Sequence, residues 1–302
     1  MSKYHIDFMG HRRIMFAIST ILLVVSIGAL AIRGLTFGIE FTGGTVVNIV
    51  DAGTVTEAEM RQAFAEAGVP NPNVQISESG GKNGFIIRTE VTDAKAATGA
   101  TLKVAKATNL PADEFQVTTI GPGWGDNITR ASMIAFFLSI LAILLYVSLR
   151  FEYKMSIMAI VSLVHDIIIT LGIYALSGLE VTPNTVAALL TILGFSLYDT
   201  IVVFHRIKEN SQNLQKQSFM RMANESINEV FVRSLNTTIT SLIPVLVMLF
   251  FGGPTLKDFA FALTIGLTAG AYSSIGVAAP LYAMWKETEP KYKALAKKYA
   301  NA

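Results

Sequence analysis

The chain has 302 residues, of which 52% are hydrophobic and 15% charged, and its mean hydropathy is +0.49. Soluble domains carry about 25% charged residues, so a water-facing surface is excluded for much of this chain and it reads as membrane-inserted. Cysteine is absent, which excludes disulfide frameworks, thiolate metal sites and cysteine nucleophiles. The four histidines, His5, His11, His165 and His205, are too scattered for a zinc motif, and a net charge of +2 gives no argument for a nucleic-acid partner.

About 20 apolar helical residues cross a bilayer core. Six stretches meet that length: Ile14–Ile32, Ala131–Leu149, Met155–Leu176, Pro183–Phe204, Leu235–Phe251 and Phe259–Trp285. Ala29-Leu30-Ala31 resembles a signal-peptidase site, but the first stretch exceeds the roughly 7–15 residues of a signal core, so an uncleaved signal-anchor is expected. Fifteen Lys and Arg residues fall at the N-terminus, after the second and fourth stretches and in the C-terminal tail, whereas the short loops Ser177–Thr182 and Gly252–Asp258 hold only Lys257. The positive-inside rule then puts both termini in the cytoplasm.

Between the first two stretches, Gly34–Thr129 reads as one extracytoplasmic domain with six basic and eleven acidic residues. In chain order it shows a strand over Phe37–Val50, then a helix opened by the capping box Thr56-Glu57-Ala58-Glu59 and closed by Gly68 and Pro70. A strand at Val74–Glu78 follows, with a turn at Gly80–Gly84 and a return strand at Phe85–Val91. A helix over Asp93–Thr108 and a strand at Phe115–Ile120 complete it. The order βαββαβ is ferredoxin-like. The expected organisation is residues 1–33, the N-terminus and first helix; 34–129, the outer domain; and 130–302, a five-helix bundle with a basic tail.

Ionisable groups at membrane depth are costly and mark function by default. Asp166 lies mid-way along the third span, with Ser162 and Thr170 on its face at i−4 and i+4; His165 is expected to point about 100° away round the helix. Asp199 lies in the fourth span with Ser196 at i−3. In the fifth, Arg233, Asn236, Thr237, Thr240 and Ser241 form one polar stripe that should face helices or a wet path rather than lipid. An arginine keeps its charge while an aspartate can change it, so the set suits coupling of a proton to movement. The plainer alternative is helix packing through hydroxyl and amide hydrogen bonds, with Arg233 snorkelling to the cytoplasm. In the sixth span Gly266 and Gly270 make a GxxxG, read as close helix packing.

These motifs carry a resemblance. GIEFTGG (Gly38, Ile39, Glu40, Phe41, Thr42, Gly43, Gly44), LVHD at Leu163–Asp166, GFSLYDTIVVFHRIKEN at Gly194–Asn210, RSLNTTITSL at Arg233–Leu242 and AGAYSSIGVAAPL at Ala269–Leu281 resemble the signatures of the SecF branch of the SecD/SecF protein-export family, within the RND superfamily. The match extends over nearly the whole chain. Glu40, Tyr198 and His205 depart from the aspartate, asparagine and aspartate usual there. The resemblance implies half of a pseudo-symmetric twelve-helix unit whose other half is SecD, working beside the SecYEG channel on preproteins. It implies that the proton gradient supplies the energy, with no cofactor, and that Asp199 and Arg233, less securely Asp166, lie on the proton path. The supporting polar face is Ser196, Asn236, Thr237, Thr240 and Ser241. Two other readings stay open: a small RND-type exporter, for which an outer domain of roughly 96 residues leaves little cleft, and a non-conducting scaffold for membrane-protein insertion. No Walker motif, Ser-His-Asp triad or metal constellation supports an enzyme.

Overall fold

In the computed structural model, residues 6–79, 82–212, 214 and 216–299 are described. Six of its helices are long and apolar enough to cross a membrane. The chain divides into two compact units. One comprises residues 1–36, 136–179 and 184–302; the other comprises 37–135 and 180–183.

The second unit is built on strands. β1 (Thr36–Phe37) leads to the one-turn α2 (Ile39–Thr42), then β2 (Gly44–Ile49), α3 (Glu57–Glu66), β3 (Asn73–Ser79), β4 (Lys82–Thr89), α4 (Ala94–Ala107) and β5 (Phe115–Ile120). The four-stranded sheet has the order β3-β4-β2-β5 with every pairing antiparallel. α3 starts where its capping box predicts: Glu59 N–H bonds the Thr56 hydroxyl, and the Glu59 carboxylate returns to the Thr56 N–H. Asp93 caps α4 through the Ala96 N–H. Val47, Ile49, Met60, Phe64, Ile87 and Val104 fill the space between sheet and helices.

Two expectations are corrected here. The strand predicted over Phe37–Val50 is interrupted: Ile39–Thr42 turns into α2, and Gly43 (φ 74) and Gly44 (φ 135) bring the chain back to extended β2. A side chain on Gly44 would collide with the Thr89 carbonyl across the ladder, so glycine is required there twice over. Lys82, Asn83 and Gly84, expected in a turn over Gly80–Gly84, lie on β4 and pair with Ser79, Glu78 and Ser77. Gly80 and Gly81 lie outside the described residues.

The other unit holds the helices α1 (Arg12–Arg33), the later part of α5 (Pro122–Arg150), α6 (Tyr153–Ser177), α7 (Pro183–Gln212) and α8 (Phe219–Phe251). The two-residue strand β6 (Glu180–Val181), between α6 and α7, belongs to the strand-built unit. A sixth long helix begins as α9 (Gly253–Ser273), passes through a π-helical turn at Ser274–Ala278 and ends as α10 (Ala279–Glu287). The short α11 (Pro290–Lys298) follows. α5 leaves Phe137, Leu138, Leu141 and Leu145 exposed, the surface a lipid-facing helix presents. α6 packs against both α1 and α9, and its last turn is capped by Arg33, which donates to the Leu176 carbonyl at 2.8 Å. Glycines set the closest approaches: Gly172 of α6 lies against Ser26 of α1, Gly266 of α9 against Ile192, and Gly270 against Ser196. The GxxxG therefore packs α9 on α7.

α7 and α8 extend past the apolar stretches that predicted them. Arg206 and Lys208, expected in a loop, lie on α7, and Arg221 and Arg233 lie on α8. The extension of α8 buries Phe219, Met222, Ala223 and Ile227 beneath the N-terminal segment and α10. Asn224 and Asn228 clasp that segment: Ile6 N–H donates to Asn228 Oδ1 at 2.8 Å, Asn228 Nδ2 donates to Ile6 O at 2.8 Å, and Met9 N–H donates to Asn224 Oδ1 at 3.1 Å.

Candidate functional site

Asp166 is 1% exposed. Its Oδ2 accepts from Ser196 of α7 at 2.5 Å and from Ser273 of α9 at 2.8 Å, and its Oδ1 lies 2.9 Å from His165 Nδ1. One carboxylate thus ties three helices together. The expectation that His165 points away is wrong: adjacent side chains on a helix start about 100° apart, but both can swing to one side and meet at their tips. The expected face of Ser162 and Thr170 also resolves differently. Ser162 donates to Ser273 at 2.9 Å, and Thr170 donates to the Asp166 backbone carbonyl at 2.8 Å, so neither touches the carboxylate. Ser196, on the face of Asp199 at i−3, donates to Asp166 instead.

Asp199 is 2% exposed. It accepts from the Ser234 hydroxyl of α8, and its Oδ2 is buried with no hydrogen-bond partner among the described residues. A buried carboxylate oxygen without a donor is costly to keep charged. The next residue along α7, Thr200, shares a 2.9 Å hydrogen bond with Ser274, the first residue of the π-helical turn. Consecutive serines 273 and 274 thus serve Asp166 and the neighbour of Asp199 respectively. Neither serine was expected to do more than pack helices. Their place after GxxxG in a buried span was the available signal.

Arg233 makes no ion pair with Asp199 among the described residues. Its Nη2 lies 3.4 Å from the Tyr198 hydroxyl, and its sequence neighbour Ser234 makes the bond to Asp199. The stripe expected to face other helices lies outward within this chain: Arg233, Asn236 and Thr240 are exposed, Thr237 and Ser241 half-buried, and the buried positions are Ser234 and Thr238. Thr237 and Thr240 return their hydroxyls to their own helix at Arg233 O and Asn236 O. An arginine, an asparagine and hydroxyls are therefore left on the surface of a helix apolar enough to span a membrane.

In the glycine-rich motif, Gly38 N–H donates to Val181 O at 2.9 Å, and Glu40 opens α2. Thr42 turns its hydroxyl to the Gly38 and Gly43 carbonyls. Gly125 passes close under Phe41, where a Cβ would lie 2.8 Å from the Phe41 carbonyl. The motif is a backbone fastening rather than a chemical centre. Among the described residues no three His, Asp or Glu side chains gather to hold a metal ion.

The family described as protein export membrane protein SecD/SecF, C-terminal, matches residues 101–288, and the SecD/SecF GG motif matches residues 28–49. The protein translocase subunit SecF of Streptomyces coelicolor is 40% identical over 300 residues, covering 97% of this chain and 80% of that one. SecF of Desulfurispirillum indicum is 35% identical, covering 98% and 97%. Among solved structures, SecDF of Thermus thermophilus, a translocon-associated membrane protein, superposes with a TM-score of 0.83 at 32% identity, over 95% of this chain and 39% of its own. A SecDF structure in a super-membrane-facing form gives 0.70 at 31% identity, over 99% and 40%. The chain thus spans about two fifths of SecDF. With six apolar helices, the glycine motif and near full-length likeness to SecF sequences, this multi-pass helical membrane protein belongs to the SecD/SecF family.

Proposed function

We propose that the chain is the SecF-type half of a protein translocase that couples the proton gradient to preprotein export across the cytoplasmic membrane. The other half is SecD, and the pair works beside the SecYEG channel. Both termini face the cytoplasm, in keeping with the fifteen-to-one basic asymmetry. Residues 34–129 are the extracytoplasmic domain, a ferredoxin-like unit by its βαββαβ order and its sheet order β3-β4-β2-β5; residues 1–33 and 130–302 make the membrane part.

The observation that carries this reading is the incomplete chemistry on α7 and α8. Among the described residues, Asp199 has a buried oxygen without a donor, Arg233 has no carboxylate partner, and a polar stripe is uncovered on a helix apolar enough to span a membrane. Such a stripe does not face lipid, so a second membrane protein covers it. SecDF, of which this chain spans 39%, supports SecD as that cover. Asp199 is the group that takes and releases the proton, Arg233 the fixed charge that responds, and Asp166 the pin between helices.

The test is translocation into inverted vesicles with and without a proton gradient. Asp199→Asn keeps size and polarity but not the titratable charge, and Arg233→Met keeps the stem without the cation. Both are expected to insert, to co-purify with SecD and to lose gradient-stimulated export. Full stimulation in Asp199→Asn rejects Asp199 as the coupling group. A stripe covered only by a second copy of this chain favours the exporter reading.

A further inference from the structure

His165 has no role in the reading above, yet it is 4% exposed in the middle of α6. Its Nδ1 contacts Asp166 Oδ1 at 2.9 Å, and its Nε2 is buried with no hydrogen-bond partner among the described residues. A neutral imidazole has one N–H and one bare nitrogen. The carboxylate assigns the proton to Nδ1, because only that tautomer donates to Asp166, and Nε2 is then a bare lone pair. Asp166 accepts hydrogen bonds at both of its oxygens.

The surroundings of the ring are nearly free of charge. From α9 comes Tyr272, 6.5 Å away between ring centroids, whose hydroxyl is committed to the Met15 carbonyl at 2.5 Å. From α7 comes Ser196, with Asp199 three residues on. α1 contributes the buried hydroxyl of Ser19, bonded to Tyr272, its cations Arg12, Arg13 and Arg33 lying at its ends. The π-helical turn Ser274–Ala278 brings no titratable group, and Tyr282 and Lys286 of α10 are bound to Glu152 at the start of α6. Asp166 is thus the one charged group in contact with the imidazole among the described residues.

We infer that the His165–Asp166 pair is a proton-binding site in its own right, distinct from Asp199, with His165 Nε2 as the atom that takes the proton. The inference rests on the proton-coupled reading above. In the step, a hydronium ion on the outer side gives up one O–H proton to the imidazole lone pair, forming one Nε2–H bond and leaving water. The Nδ1–H bond stays and no bond in the protein breaks. The pair passes from a net charge of minus one to zero, which relieves an uncompensated charge in a low-dielectric interior. The imidazolium then draws Asp166 Oδ1 more strongly and weakens the hold of Oδ2 on Ser196 and Ser273. Those hydroxyls belong to α7 and α9, so both helices feel the occupancy of Nε2.

The test is nitrogen NMR of 15N-histidine-labelled chain, paired with SecD in lipid nanodiscs, the His165 signals being assigned by their loss in His165→Asn. The expected result is a bare Nε2 at high pH that becomes protonated reversibly as pH falls, with Nδ1 protonated throughout. Asp199→Asn is expected to leave that transition in place. An Nε2 that is protonated at every pH, or one that never takes a proton while the complex remains folded, overturns the inference. In the vesicle assay His165→Asn, whose amide can still donate to Asp166, is expected to lose gradient-stimulated export, and full stimulation would also overturn it. If Asp199→Asn keeps its stimulation while His165 titrates, the Asp199 reading fails and the His165 site stands.

Discussion

Gly270 offers the sharpest perturbation of the bundle. A methyl placed there would lie 2.8 Å from Ser196 Cβ and 3.2 Å from Ser196 Cα and Oγ. Contacts that close cannot be relieved by a flexible side-chain tip, because Ser196 is short and its backbone is helical. Gly270→Ala therefore either spreads α9 from α7 or pushes Ser196 off Asp166, which it holds at 2.5 Å. Overpacking costs about 1–3 kcal/mol, and a hydrogen bond to a charged group contributes about 1.5–3 kcal/mol. Against this, replacing helical glycine by alanine stabilises by about 1 kcal/mol. The net expectation is destabilisation by up to about 2 kcal/mol if one route operates and by about 1.5–5 kcal/mol if both do. Gly28 of α1 is the control, since a methyl there meets nothing within 4 Å and Gly28→Ala should gain the helix term alone. The measurement is thermal unfolding of the purified complex in nanodiscs. Equal melting temperatures for the two variants would refute the argument that α9 is seated on α7 through Gly270.

Asn228→Ala removes two hydrogen bonds to Ile6, each at 2.8 Å; at about 0.5–1.5 kcal/mol each, local opening should rise roughly 5- to 150-fold. Hydrogen exchange of the peptide carrying Ile6 and Met9 reads this, and unchanged protection contradicts it. At Glu289 burial opposes ionisation, but hydrogen bonds from Lys154 (2.9 Å) and Lys286 (3.1 Å) together outweigh it and hold the carboxyl below its ordinary range. A depressed folded-state value means stability that is present above the unfolded value and lost as pH falls through the folded one. Docking of α11 should therefore weaken only in acid, and tryptic cleavage at Lys291 and Lys293 should lose that pH dependence in Glu289→Gln. A reporter fused after Lys82 should read outside the cytoplasm and one after Lys216 inside, and the opposite pair of results would reject the assigned orientation.

Local signals in the sequence carried those elements whose reasons are themselves local. The capping box at Thr56–Glu59 needs four residues to be recognised, and Phe115–Ile120 alternates and is bounded by turn residues, so both elements stand where they were expected. The start of α8 was not visible to hydropathy. Its first turns are polar overall, and only the spacing of Phe219, Met222, Ala223 and Ile227 marks a buried face. The glycine motif misled for a related reason: Phe41 and Thr42 favour strands, but the positive φ of Gly43 and Gly44 reverses the chain just there. Asp166 and Asp199 were legible as costly residues in apolar spans. Their partners were not, because Ser196, Ser234 and Ser273 come from other helices and no periodicity within one helix ranks them.

The two carboxylates differ in how completely this chain satisfies them, and that difference divides their roles. Asp166 receives donors from α6, α7 and α9, so the fold of one chain closes its shell. Asp199 receives Ser234 and keeps a bare buried oxygen, while Arg233, one residue before Ser234, points its guanidinium at a tyrosine hydroxyl. A buried acceptor without a donor is costly to keep charged. The open cation begins the uncovered stripe, so a single covering surface can answer both, whereas the bare oxygen of Asp199 is already enclosed by this chain. On the proposed reading, the moving part of the chemistry belongs to α7 and α8 at the face shared with the partner half, and the fixed part, Asp166, lies inside this chain, where the inferred change of protonation at His165 would act on the helices that carry Ser196 and Ser273.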